Sequence, residues 1–166
     1  NLDEEVYFEI VKNKTASLLS SACAIGAYSA NQDLSKSNLM KKFGELTGIA
    51  FQIKDDLLDY GSDKIGKPTG NDIKEKKLTL PLIYTINKVD KSTKKELIYI
   101  LKNKNRNKEK IRFVLNCVIE NGGIAYAEKK MIEYRDQAIE LLHQFDDSPE
   151  RRALEDLVRF TTDRKY

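Results

Sequence analysis

The sequence has little that bends a chain and almost nothing that binds a soft metal. Only three prolines and eight glycines occur in 166 residues, and the glycines gather at a few points. Between them apolar residues recur at three and four positions and the alternation of a half-buried strand is missing, which argues against a sheet protein and predicts an all-α helical bundle. Cys23 and Cys117 are the only cysteines and form no CxxC pair. A disulfide scaffold is thereby excluded, and reduced core thiols in a cytoplasmic protein are expected. His143 is the single histidine; alone it anchors neither a zinc site nor a Ser-His-Asp triad. No apolar run reaches the roughly 18 residues a membrane span needs. The acidic start, Asp3-Glu4-Glu5, leads into no apolar signal segment, so no leader is expected, and without a methionine Asn1 is not expected to be the natural beginning.

Charge is plentiful but balanced. A third of the residues are charged, yet the net charge is only +3. The densest basic run, Lys102 to Lys110, is interrupted by asparagines and carries no aromatics. It reads as a solvated loop between helices rather than a nucleic-acid surface, because such surfaces add stacking platforms or a wider basic face.

Helices are expected over roughly Asp3–Tyr28, from a cap at Ser35 or Ser37 to Tyr60, over Thr79–Lys88 with Pro81 early, and from a Thr93-x-x-Glu96 capping box. Three more are expected over Lys108–Glu120, Ile124–Phe145 and from Ser148-Pro149 onward. Small residues in the first helix (Ala16, Ser20, Ala24, Gly26, Ala27) predict close helix packing. In the sixth, Ala127, Met131, Tyr134, Ala138, Leu141 and Leu142 form an apolar stripe. Residues 61–73 are expected to be a glycine-rich loop.

The chemistry concentrates in Gly48–Pro81, GIAFQIKDDLLDYGSDKIGKPTGNDIKEKKLTLP. At 100° per residue, Gln52, Asp55, Asp56 and Asp59 share one arc of a helix, with Phe51, Ile53, Leu57 and Leu58 opposite. Carboxylates about 4 Å apart repel by on the order of 4 kcal/mol at an effective dielectric near 20. The helix C-terminus also disfavours negative charge. Both facts point to a cation, and hard oxygen donors of this kind suit Mg²⁺, completed by water and phosphate oxygens. Behind the acids come Lys64, Lys67, Lys74, Lys76 and Lys77 among glycines, a set suited to phosphate oxygens. A clamp for a diphosphate is the functional reading; a solvated helix end is the plain one. A P-loop is rejected because Pro68 interrupts Gly66-Lys67-Pro68-Thr69 and no strand precedes it. An EF-hand is rejected because the acids lie inside a helix.

The stretch FQ-x-x-DD-x-x-D, then GK, then GxD and K-x-T-x-P, closely resembles the second aspartate-rich region of the trans-isoprenyl diphosphate synthases, the all-α polyprenyl synthetases. Lys14-Thr15 looks like the Lys-Thr that precedes this region in the family. GGIAYAEKKMIEYRDQAIELL and ALEDLVRFTTDRKY are similar to its C-terminal helices, particularly those of the medium- and longer-chain, octaprenyl-type synthases. The resemblance implies that Asp55, Asp56 and Asp59 hold Mg²⁺, with Asp55 the foremost direct ligand. It implies that Lys14, Thr15, Gln52 and Lys67 contact the allylic substrate or its diphosphate, that Lys77 holds the same diphosphate and that Asp72 orients the loop. The implied reaction joins isopentenyl diphosphate to an allylic diphosphate: the allylic C–O bond ionises, the cation adds to the isopentenyl double bond and a proton is lost. The work of the protein is electrostatic, in a cavity closed to water.

Two departures from the family stand out. Lys76 occupies a position where many members have glycine. More seriously, the first aspartate-rich motif, with its facing helix and basic surroundings, is not in this sequence. The expectation is therefore the C-terminal half, residues 1–166, of an isoprenoid-synthase domain about twice as long, a homodimer when intact, with the present chain inactive alone. The alternative is a non-catalytic partner subunit or truncated diphosphate-binding module of a prenyl synthase.

Overall fold

Apolar spacing of three and four along nearly the whole sequence yields helices joined by short turns. In the computed structural model, which describes residues 4–61 and 70–164, α1 (Glu4–Val11) continues through a π-helical turn (Lys12–Ala16) into α2 (Ser17–Asn31). There follow α3 (Leu34–Leu58), α4 (Asn71–Lys74), α5 (Leu80–Lys88), α6 (Lys91–Asn103), α7 (Lys108–Glu120), α8 (Gly123–Leu142) and α9 (Pro149–Asp163). Among the described residues there is no strand. The all-α expectation is met.

The chain divides into two compact units. Among the described residues, the first takes 4–7, 55–61 and 70–129; the second takes 8–54 and 130–164. In the first, Ile73, Leu82, Ile86, Leu97, Ile100, Val114 and Val118 form a core contributed by α4 to α7. Pro81 lies in the first turn of α5, where its missing N–H is harmless, and Thr79 precedes it in extended conformation. Gly123 opens α8 against α5: a Cβ there would lie 2.6 Å from both the Pro81 carbonyl oxygen and Thr85 Oγ1.

In the second unit Phe43, Leu46, Ala138, Ile139, Leu142 and Val158 form the core. Here α2 and α3 cross at van der Waals range, as the small residues suggested. A Cβ on Gly44 would lie 2.5 Å from the Leu19 carbonyl oxygen, and one on Gly48 would lie 2.6 Å from Ala16 Cα. Two side chains bridge the same pair of helices: Ser20 Oγ donates to the Lys41 carbonyl (2.9 Å) and Ser37 Oγ to the Ala24 carbonyl (2.9 Å). Ala16 and Ser20 are buried, whereas Gly26 faces open space. Of the stripe expected on α8, Ala127, Met131, Ala138 and Leu142 are buried, and Tyr134 and Leu141 are half-buried.

Several helix ends differ from expectation. The first helical run extends to Asn31, where Gln32 takes a left-handed φ of 54°. Asp33, not Ser35 or Ser37, caps α3, its carboxylate accepting from the Ser35 and Lys36 amides. Asp90 rather than Thr93 caps α6, accepting from the Ser92 and Thr93 amides, while Thr93 Oγ1 donates to it at 2.6 Å. In both cases the aspartate stands where its oxygens reach the amides two and three residues on, and the hydroxyl residues fall one or more positions too late. Helix α3 stops at Leu58, short of Tyr60, and α8 stops at Leu142, short of Phe145. Helix α7 has the expected bounds, and Ser148 caps α9 through the Arg151 amide (3.1 Å) as expected.

Candidate functional site

The three acids do not share an environment. Asp55 is exposed, Asp56 is only 8% exposed, and Asp59 lies half-buried in the turn beyond the end of α3. The expectation that they point the same way is corrected, because neighbours capture two of them. Tyr7 Oη donates to Asp56 Oδ2 across 2.7 Å. Asp59 accepts from the Asn71 amide on Oδ1 (2.9 Å) and the Asp72 amide on Oδ2 (3.1 Å), and its own carbonyl accepts from Gly70 N–H (3.1 Å). Asp59 thereby acts as the anchor for α4. Burial raises its carboxyl above the usual range, with the Asp72 charge adding, against the lowering effect of the two amides. Of the residues expected opposite the acids, Ile53 is fully buried, while Phe51, Leu57 and Leu58 are half-buried.

The lysine segment that follows is tied down at its described end. Lys77 Nζ pairs with Glu75 (2.7 Å) and Asp72 (3.2 Å), two contacts that hold its ammonium well above the ordinary lysine range. Lys74 Nζ donates to Asn71 Oδ1 and Lys76 Nζ to the Lys102 carbonyl. Lys76 has φ +59°, a left-handed conformation natural to glycine. Lys64 and Lys67, with the rest of 62–69, lie outside the described residues. Tyr60 Oη meets Thr79 Oγ1 at 2.6 Å, joining the acidic turn to the start of α5.

In the second unit the π turn carries Lys14 and Thr15. Lys14 is exposed, and Thr15 Oγ1 donates to Gln52 Oε1 at 2.9 Å. Lys12, in the same turn, pairs with Glu45 of α3 (3.0 Å), as does Lys42 (2.6 Å). Burial pushes the Glu45 carboxyl up, but its lysine partners outweigh it and the net direction is down. A π turn inserts one residue and so rotates the helix face by about 100° from one side of it to the other. Such turns are frequent at functional positions. Arg164, in this unit, lies with its guanidinium 4.6 Å from the centre of the Phe51 ring. His143 pairs with Glu155 at 3.1 Å, a structural contact.

Tyr7 and Tyr60 escaped the sequence reading. A signal for Tyr7 exists: with Val11 it lies on the buried face of α1, and a buried phenol requires a polar partner. Nothing in the spacing says which partner. Among the described residues, no group of three or more His, Cys, Asp and Glu side chains converges on a point that could hold a metal.

Residues 1–118 match the polyprenyl synthetase family model. The chain is 36% identical over 164 residues to the short chain isoprenyl diphosphate synthase of Methanocaldococcus jannaschii, covering 98% of this chain and 49% of that protein. It is 31% identical to the nonaprenyl diphosphate synthase of Mycobacterium tuberculosis, covering 99% of this chain and 50% of that one. The polyprenyl synthase of Caulobacter crescentus, solved with calcium and isoprenyl diphosphate, superposes with a TM-score of 0.90 at 32% identity, covering 100% of this chain and 52% of that one. An all-helical protein with an aspartate-rich turn and a Lys-Thr turn is thus defined, and the chain belongs to the polyprenyl synthetase family. It spans about half the length of the relatives it matches, and relatives named for short and for long products match alike.

Proposed function

We propose that the chain is the C-terminal half, residues 1–166, of a polyprenyl synthetase domain. The intact protein is then a prenyltransferase that condenses isopentenyl diphosphate with an allylic diphosphate into a longer trans-polyprenyl diphosphate. The acidic turn carries this reading: an exposed Asp55 next to a buried, hydrogen-bonded Asp56, in a chain matching the family over residues 1–118. The half-length coverage of relatives supports a missing partner segment. So do Ile10, Leu18 and Ile25 of α1 and α2, which are 56%, 76% and 65% exposed, more than large apolar side chains on one helical run usually are.

The donor set fits Mg²⁺. Only oxygen is offered, one carboxylate is exposed, and the Asp59 oxygens each keep a lone pair beyond the amide they accept. A solved relative holding calcium together with an isoprenyl diphosphate supports the same pairing of hard cation and diphosphate. Asp55, Asp56 and Asp59 are the residues assigned to hold the ion, with Asp55 foremost. When bound, Mg²⁺ would neutralise charge on the diphosphate leaving group. Lys14, Lys67 and Lys77 are assigned to diphosphate oxygens, Lys77 by exchanging its acidic partners. Thr15, which donates to Gln52 Oε1, and Gln52 are assigned to the allylic substrate, and Asp72, which accepts from Lys77, is assigned to orienting the loop. The intact protein is expected to be a homodimer, and the two free cysteines support a reducing, cytoplasmic setting. No described helix is long and apolar enough to cross a membrane.

The test is pyrophosphate release by the intact protein with Mg²⁺, isopentenyl diphosphate and an allylic diphosphate. Asp55→Ala is expected to lower turnover by about a hundredfold or more, in line with loss of a charge-stabilising group at the reacting centre. Wild-type turnover by that variant would remove Asp55 from the metal site. Tight pyrophosphate binding with no turnover by the intact wild type would instead favour a non-catalytic binding subunit.

A further inference from the structure

We propose that Tyr7 is a positioning residue for Asp56, so that α1 sets the geometry of the acidic turn. The inference rests on the reading that Asp56 takes part in holding the divalent ion. Tyr7 and Asp56 are both buried, 7% and 8% exposed, and the phenol donates to Asp56 Oδ2 at 2.7 Å, a bond between residues 49 apart in sequence. A carboxylate on a helix has more than one rotamer open to it. An O–H donor fixed on one oxygen sets the plane of the group and the direction of its other lone pairs, as partners behind metal ligands do.

The phenol is itself held. One turn earlier in α1, the Glu4 carboxylate accepts from Tyr126 Oη at 2.7 and 2.9 Å, and the Tyr126 ring stacks on Tyr84 with centroids 4.1 Å apart and planes at 13°. Helix α8 thus fastens the first turn of α1, and α1 presents the hydroxyl to α3. The arrangement lies within the first unit. If Tyr7 only filled space, phenylalanine would serve equally.

The experiment titrates Mn²⁺ into the intact protein with saturating inorganic pyrophosphate, followed by electron paramagnetic resonance, in parallel with melting curves. Tyr7→Phe is expected to weaken Mn²⁺ binding about tenfold, the lower end of what loss of a partner behind a metal ligand costs. Asp56→Asn is expected to weaken it at least as much. Wild-type affinity in Tyr7→Phe with weakened affinity in Asp56→Asn overturns the positioning role and leaves the metal reading standing. Unchanged affinity in Asp56→Asn overturns both. Should Tyr7→Phe fail to fold, Tyr126→Phe decides. That variant keeps the Tyr7 hydroxyl and loosens its anchor, so weaker Mn²⁺ binding at an unchanged melting temperature supports the role, and wild-type binding overturns it.

Discussion

Lys76 holds its backbone at φ +59°, where a Cβ costs on the order of 1 kcal/mol or more and glycine costs nothing. The side chain recovers part of this by donating to the Lys102 carbonyl. The turn is also fixed from outside: Asp72 O accepts from Lys77 N–H at 2.8 Å and Ile73 O from Lys76 N–H at 3.1 Å. Lysine at this position therefore keeps the turn and strains it. Lys76→Gly is expected to leave stability within about 1 kcal/mol of wild type, the relief of strain offset by a freer unfolded chain. Lys76→Val, branched at a positive φ, is expected to destabilise by about 2 kcal/mol. Urea unfolding of the three proteins measures both; a valine variant as stable as wild type would show that the left-handed turn is not kept in solution.

At the scale of elements, the contact between α2 and α3 depends on missing atoms. Gly48 places no Cβ against Ala16 Cα, and Gly44 none against the Leu19 carbonyl. Alanine is the better helix former by about 1 kcal/mol, yet at Gly48 it is expected to destabilise by about 1–3 kcal/mol, because the obstructing atoms are backbone and the helices must separate. The π turn lies at this contact, so Gly48→Ala should also disturb the Thr15–Gln52 hydrogen bond, seen as faster amide exchange over residues 12–16. A stabilised Gly48→Ala would mean that the helices stand further apart. Helix ends show what was legible. The bounds of α7 and the start of α9 follow from local signals, an Asn-Gly-Gly stop and a Ser-Pro start, which need no tertiary partner. The caps of α3 and α6 were misplaced by a few residues, since serines and threonines next to an aspartate compete on paper and only geometry decides. The π turn left no trace in the apolar spacing. It is stabilised by what Ala16 and Lys12 meet on α3, and that information is not local. The acidic motif was legible in spacing, but the direction of each carboxylate was not, being set by Tyr7 and by the amides of residues 71 and 72.

At the scale of the whole molecule, two effects follow from charge and from apolar exposure. Glu45, pulled down by Lys42 and Lys12 despite its burial, binds its proton less readily folded than unfolded. Its contribution to stability is therefore fully present above the unfolded glutamate pKa, about 4.3, and is lost as pH falls through the lower folded value. Asp59, raised chiefly by burial, has the opposite sign and gains as pH falls. Glu45→Gln is thus expected to flatten the acid limb of stability below about pH 5, checked by urea unfolding across pH; an acid limb identical to wild type would show that the lysine pairs do not persist in solution.

The second effect concerns the outer face of α1 and α2. Leu18 is 76% exposed and Ile25 65%, seven residues apart and therefore on one stripe. Ile10 extends that stripe across the π turn, whose one inserted residue makes a spacing of eight equivalent to seven. On the proposed half-synthase reading, this stripe is expected to be covered by the rest of the intact protein. A charge placed there should then have opposite consequences in two settings. In the 166-residue chain, Leu18→Glu faces water, and it is expected to lower self-association without changing the helical signal. In the intact protein the same carboxylate is expected to meet an apolar partner and to destabilise by about 3 kcal/mol or more. On the half-synthase reading, the chain alone is expected to release no measurable pyrophosphate with or without the substitution. Sedimentation of the chain and thermal melting of the intact protein read the two arms. An intact Leu18→Glu protein as stable as wild type would show that the stripe faces solvent there too, and the complementary half would have to dock elsewhere.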